Sequence, residues 1–101
     1  MQAGAKCKED VVADELDKLV GHEVVLDTAG PVVYMGRLVE CNVGGFWLVD
    51  ADLHNCSEGH ATREQYISES ARDGIHVNRR RIHVFRHAVI SISVLGEVVT
   101  D

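Results

Sequence analysis

Val32-Val-Tyr-Met-Gly36-Arg-Leu-Val-Glu-Cys41-Asn-Val-Gly-Gly45-Phe-Trp-Leu-Val-Asp50-Ala-Asp-Leu53 reads as two strands and the reversal that joins them. β-branched and aromatic residues fill both arms, as a pleated, half-buried surface requires. Asn42-Val-Gly-Gly45 is the tight turn. Within 32–41, alternation sends Tyr34, Gly36, Leu38 and Glu40 to one face. Val33, Met35, Arg37 and Val39 go to the other. Gly36 in mid-strand predicts a bend there, or a neighbour that packs close. The next strand, Phe46 to Leu53, is bulky and apolar as far as Asp50.

Working outward, Val24-Val-Leu26 followed by Thr28-Ala-Gly-Pro31 predicts a shorter strand and a turn. Upstream, Val12, Leu16, Leu19 and Val20 recur at helical spacing, and acidic residues crowd the first turns. Lys18 and Gly21 are stop signals, so a helix is expected over 9–20, behind a flexible 1–8. Downstream, residues 54–61 are turn-like, and Thr62-Arg-Glu-Gln65 has the form of a capping box. It opens a helix expected at 63–73, closed by Gly74. A fourth strand is expected at 79–86, with Ile82, Val84 and Arg86 on one side and His83 and Phe85 on the other. A fifth is expected at 89–95, extended by Glu97-Val-Val99. The fold class is mainly β. An N-terminal helix precedes a strongly bent, five-stranded antiparallel, partly open barrel, with residues 54–78 a helical insertion between the third and fourth strands. Residues 9–101 are read as a single domain. Its open edges must be covered or paired with another chain.

Composition agrees. A chain of 101 residues, 46% apolar and 26% charged, supports one modest core, which excludes disordered and coiled-coil classes. No apolar run approaches the ~20 residues of a membrane span. Met1 to Asp10 has no hydrophobic segment of a secretory signal, and three cysteines (Cys7, Cys41, Cys56) form no disulfide framework, so a cytoplasmic location is expected. Cys41, in an apolar stretch, reads as a small core residue. The net charge of −6 is uneven. Residues 1–73 carry six basic and fourteen acidic side chains; residues 74–101 carry four and two. The basic share is concentrated in Arg79, Arg80, Arg81 and Arg86, among His76, His83 and His87. An acidic body with one basic stripe meets a polyanion only where the stripe is displayed.

Leu16-Asp-Lys-Leu19-Val-Gly21-His-Glu-Val24-Val-Leu26 resembles the opening of the Sm and Sm-like proteins. Tyr34-Met-Gly36-Arg-Leu38, with the apolar strand into Asp50-Ala51, resembles the body of their first motif. Val84-Phe-Arg86-His87 before Val89-Ile90 is similar to the short second motif. The resemblance spans residues 12–95. It implies a homo-oligomeric ring closed through the edge strands, and binding of single-stranded, often uridine-rich, RNA by two loops and an arginine. Arg86 meets that arginine. The first motif's aspartate and asparagine read Asn42 and Phe46 here, Gly44 stands at the stacking position, and His87 replaces a glycine. Of the expected triad Arg86 remains, with Asn42 a partial substitute. The 54–78 insertion is longer than the family's usual loop.

The candidate RNA-binding residues are therefore Arg86, His87, Asn42, Arg79, Arg80 and Arg81. Guanidinium forks suit phosphate oxygens, and His83, Phe85 and His87 offer surfaces on which bases stack. The competing reading turns Arg80 and Arg86 inward, to pair with carboxylates of a neighbouring copy, and leaves Arg79 and Arg81 solvated. It goes with a ring-forming scaffold that has lost the RNA pocket and docks a protein on 54–78. Phe46 and Trp47 read as core or interface rather than a base platform. His54-Asn-Cys56-Ser-Glu-Gly-His60 matches no strong zinc spacing, so neither metal nor cofactor is expected. No catalytic motif is present, and no enzyme is expected.

Overall fold

The structure, a computed structural model, describes residues 15–59 and 61–100. Five strands form one antiparallel sheet in the order β4-β3-β2-β1-β5. They are β1 (Glu23–Asp27), β2 (Val32–Asn42), β3 (Gly45–Asn55), β4 (Arg79–Phe85) and β5 (Ser91–Val94). Helix α1 (Arg63–Asp73) lies between β3 and β4, where the capping box predicted it. Residues 15–17 are helical and a turn follows to Gly21. The rest of the helix expected at 9–20, and the 1–8 segment with Cys7, fall outside the described residues. Among the described residues no helix is long and apolar enough to cross a membrane.

Two expectations are corrected at the ends of strands. β3 runs on to Asn55, into the segment read as a turn. The fifth strand is only Ser91–Val94, because Arg86–Ala88 and Leu95–Glu97 coil into single 3₁₀ turns. The expected extension through Val99 does not form. The turn instead buries Leu95 against Val25, Val33, Met35 and Ile67, and that burial outweighs continued edge pairing.

The bend comes from two compensating bulges in the β2–β3 ladder. Met35 pairs with Asp52 but Arg37 with Val49, so β3 holds one extra residue; Leu38 pairs with Leu48 but Glu40 with Trp47, so β2 holds the next. Asp50, at the first bulge, has φ 48°. Each bulge adds local twist, and register is restored after the second. Gly36 sits opposite the first bulge. A Cβ there would lie 3.0 Å from the Ala51 Cβ and 3.2 Å from the Leu48 Cβ, so a side chain would force the neighbouring strand to give by a few tenths of an ångström. Gly36→Ala is expected to destabilise the fold by about 1–3 kcal/mol, read as a lower urea midpoint.

The bulges also change the faces. Leu38 joins Val24, Leu26, Phe46, Leu48, Ala51 and Val84 in the inner core, against which Leu16, Leu19 and Tyr34 pack. Glu40 does not share that face, as simple alternation predicted. The bulge at Val39 turns it outward, level with Trp47. The outer face is divided. Its β1 end carries Val25, Val33 and Met35, which α1 covers with Ile67. Beyond Met35 the same face continues through Arg37, Val49 and Trp47, with no helix over it among the described residues.

Helix α1 is held at its start. The Thr62 hydroxyl accepts the Gln65 N–H at 3.1 Å, and the Gln65 side chain accepts the Thr62 N–H at 2.8 Å. Arg63 donates to Asp27 at 3.0 Å and to the Gly30 carbonyl, while the Ser91 hydroxyl donates to Asp27 at 3.0 Å. That clasp ties the helix start to the end of β1 and the start of β5.

Candidate nucleic-acid interface

The β2–β3 hairpin sets the first part of the site. The Asn42 carboxamide oxygen accepts the Gly44 N–H at 2.8 Å, and its amide donates to Glu40 at 3.2 Å. This side-chain turn holds the tip closed in the way Asn favours. The Gly44 carbonyl accepts the Arg86 N–H at 3.1 Å. One backbone bond thus docks the hairpin on the turn that follows β4. The exposed Arg86 side chain borders a depression of about 200 Å³ shared with Leu16, Phe46, Val89, Ile90 and Ile92. Phe46 is 5% exposed and belongs to the core, so its ring is not free to receive a base. Cys41, half-buried near the same end, lies 3.6 Å from an Asp17 carboxylate oxygen. Burial first, then the Asp17 charge, push its thiol above the ordinary range, and Arg86 opposes them.

The second part lies on the uncovered outer face. Cross-strand pairs share a face, and three rows run across β2, β3 and β4: Arg37, Val49, Arg81; Glu40, Trp47, His83; Asn42, Gly45, Phe85. The Arg81 guanidinium lies over the Trp47 ring, 4.5 Å from its centroid. Trp47 and His83 meet edge to face at 4.7 Å, and His83 and Phe85 at 5.0 Å. His87 stacks on Phe85 at 6.0 Å.

The six predicted residues are therefore not gathered in one pocket. Asn42 and Arg81 share the outer face, which alternation extends to Arg79, and His87 joins it through Phe85. Alternation places Arg80 on the side of Ile82 and Val84, and Arg86 stands at the depression. All four arginines are exposed, and among the described residues none is in an ion pair. Trp47 is the member that sequence reading assigned elsewhere. The available signal was its adjacency to Phe46, since neighbours on a strand cannot both face the core.

The 54–78 insertion is a different construction. Asp52, 1% exposed, accepts hydrogen bonds from the Tyr66 hydroxyl and, at 2.9 Å, from Asn78. The Asn78 side chain also bonds both backbone groups of Leu53. His54 stacks flat on Tyr66 at 3.6 Å, and His76 approaches its edge at 6.0 Å. Burial, the bond to Asp52 and the Asp52 charge push the Tyr66 hydroxyl well above its ordinary range. Burial also raises the Cys56 thiol, with Arg63 acting against it. His60 lies outside the described residues. These contacts pin α1 to the sheet and were not foreseen. The one hint was an acidic Asp52 level with the apolar Met35.

A five-stranded antiparallel sheet, bent at mid-strand glycine and bulges and ordered β4-β3-β2-β1-β5, is the Sm-like fold. A solved structure similar to this chain is that of the Pyrococcus abyssii Sm protein in complex with a uridine heptamer. The two are 17% identical, with a TM-score of 0.57 over 81% of this chain and 94% of that one. A scan against protein-family models and a search of curated proteins find no match.

Proposed function

We propose that the chain forms a ring of identical copies and binds single-stranded RNA where the hairpin tip meets the turn after β4. The observation that carries this reading is the bond from the Arg86 N–H to the Gly44 carbonyl. It joins the Arg86 backbone to the Asn42 turn, and a solved protein of the same fold holds a uridine heptamer. Arg86 supplies charge-assisted bonds to phosphate or base, the Asn42 loop the polar edge, His87 a stacking surface, and Arg79, Arg80 and Arg81 backbone contacts. The free edges of β4 and β5 lie at opposite ends of the sheet, so pairing β4 of one copy with β5 of the next leaves no edge once the ring closes.

Light scattering is expected to give a discrete oligomer, and fluorescence anisotropy is expected to show salt-sensitive binding of uridine- or adenine-rich RNA at about 50 mM salt. Arg86→Ala should weaken it about tenfold. A monomer at high concentration would remove the ring, and absence of salt-sensitive binding would remove the RNA. A second reading, a ring-forming scaffold, is favoured by the burial of Phe46 in the core. It requires a stable oligomer that co-purifies with protein and without nucleic acid.

A further inference from the structure

We infer that the half of the outer face left open by the described residues is a second RNA contact, a track on which unpaired bases stack, lying beyond the Arg86 depression and continuous with the Arg79, Arg81 and His87 contacts proposed above. This rests on the RNA-binding reading above. Arg81, Trp47, His83, Phe85 and His87 follow one another as a continuous ladder with centroid spacings of 4.5, 4.7, 5.0 and 6.0 Å. Among the described residues this run of rings packs against neither core cluster, and α1 covers only the other half of the face. Phe85 is 61% exposed, a large cost in apolar surface for a side chain that supports nothing beneath it.

Opposite Phe85 stands Gly45, and the His83 ring packs against it where a side chain would otherwise lie. Arg81 and, by alternation, Arg79 sit at the far end, where guanidinium groups suit a phosphate chain. Glu40 is the carboxylate in these rows, and the Asn42 amide holds it at 3.2 Å. Rings in series with cations at one end match single-stranded nucleic acid, in which each base has a face to stack and each link a negative charge. A hydrophobic protein segment would match the rings but not the two arginines.

Trp47 is the single tryptophan and serves as the reporter. Uridine and adenine oligonucleotides are titrated into the full-length protein, following Trp47 fluorescence and, in parallel, anisotropy of a labelled oligonucleotide. Saturable quenching is expected, and Phe85→Ala should weaken binding roughly tenfold. Arg86→Ala should keep the quenching that remains at saturation. Binding seen by anisotropy without quenching, and unchanged in Phe85→Ala, would overturn the track and leave the depression as the RNA site. No binding by either readout would overturn both. Phe85 is exposed enough that its alanine variant should fold, and its urea midpoint checks this.

Discussion

Gly45→Ala is expected to lower stability by about 3 kcal/mol, the larger end of the range for overpacking added to backbone strain. Gly45 has φ 146°, and a Cβ there would lie 2.2 Å from the Val84 carbonyl oxygen and 3.0 Å from the Arg86 nitrogen. Both are backbone atoms, so no side-chain rotation relieves the contact. β4 would have to withdraw, breaking the Gly45–Phe85 and Phe46–Val84 pairs and freeing the Arg86 N–H from Gly44. Gly44→Ala is the control. Its Cβ would meet only the Asn42 side-chain oxygen at 3.2 Å, and its φ is not in the left-handed region. Urea unfolding of the two variants should separate them clearly, and equal midpoints would refute the packing account of the hairpin. The damaged variant should also bind RNA less well, because the same contact joins the two loops.

Removing the Tyr66 hydroxyl should have the second-largest effect. Tyr66→Phe deprives the buried Asp52 carboxylate of one of its two side-chain donors and should cost about 1.5–3 kcal/mol at neutral pH. The cost should depend on pH. Burial first, then the bond to Asp52 and its charge, hold the folded hydroxyl above the ordinary value of 10.0. Above pH 10 the unfolded chain therefore loses this proton while the folded chain keeps it. The unfolded state then binds fewer protons, and stability falls as pH rises. The contribution is complete below pH 10. Above it the decline is at most about 1.4 kcal/mol per pH unit, reduced by the partial exposure of the ring. Wild type and Tyr66→Phe should thus differ most near neutrality and converge in alkali. A constant difference across pH 7–11 would mean that folding does not raise the hydroxyl's pKa.

The candidate site was legible in its chemistry and illegible in its arrangement. Arg79, Arg80, Arg81 and Arg86 stand out because four of ten basic residues fall within eight positions of an acidic chain. Asn42 and the glycines after it announce a reversal. Nothing in their spacing says that the Arg86 N–H will reach Gly44, 42 positions away in the chain, because that bond depends on how β3 and β4 pair. The division of the arginines between the outer face and the depression follows from the same register. Trp47 illustrates the limit well. Its residue type suggests core or interface, and since Phe46 already occupies the inward position the next side chain must point out.

The elements themselves were written locally. Alternation in 32–41, the apolar run in 46–53, the Asn42–Gly45 reversal and the Thr62–Gln65 box each involve a few adjacent residues whose backbone preferences do not need distant partners. The mid-strand Gly36 even announced that the sheet bends or is closely approached, and both are true. The rest depended on contacts between segments far apart. Whether 97–99 continued a strand was settled by the burial of Leu95 beneath α1. Whether Glu40 faced in or out was settled by an extra residue at Val39, since one bulge inverts every side chain after it. Which half of the outer face α1 covered was settled by the Asp52, Tyr66 and Asn78 bonds. Local preference acts through a residue's own backbone and its near neighbours, whereas burial and register are properties of the assembled sheet, and no short window of sequence contains them.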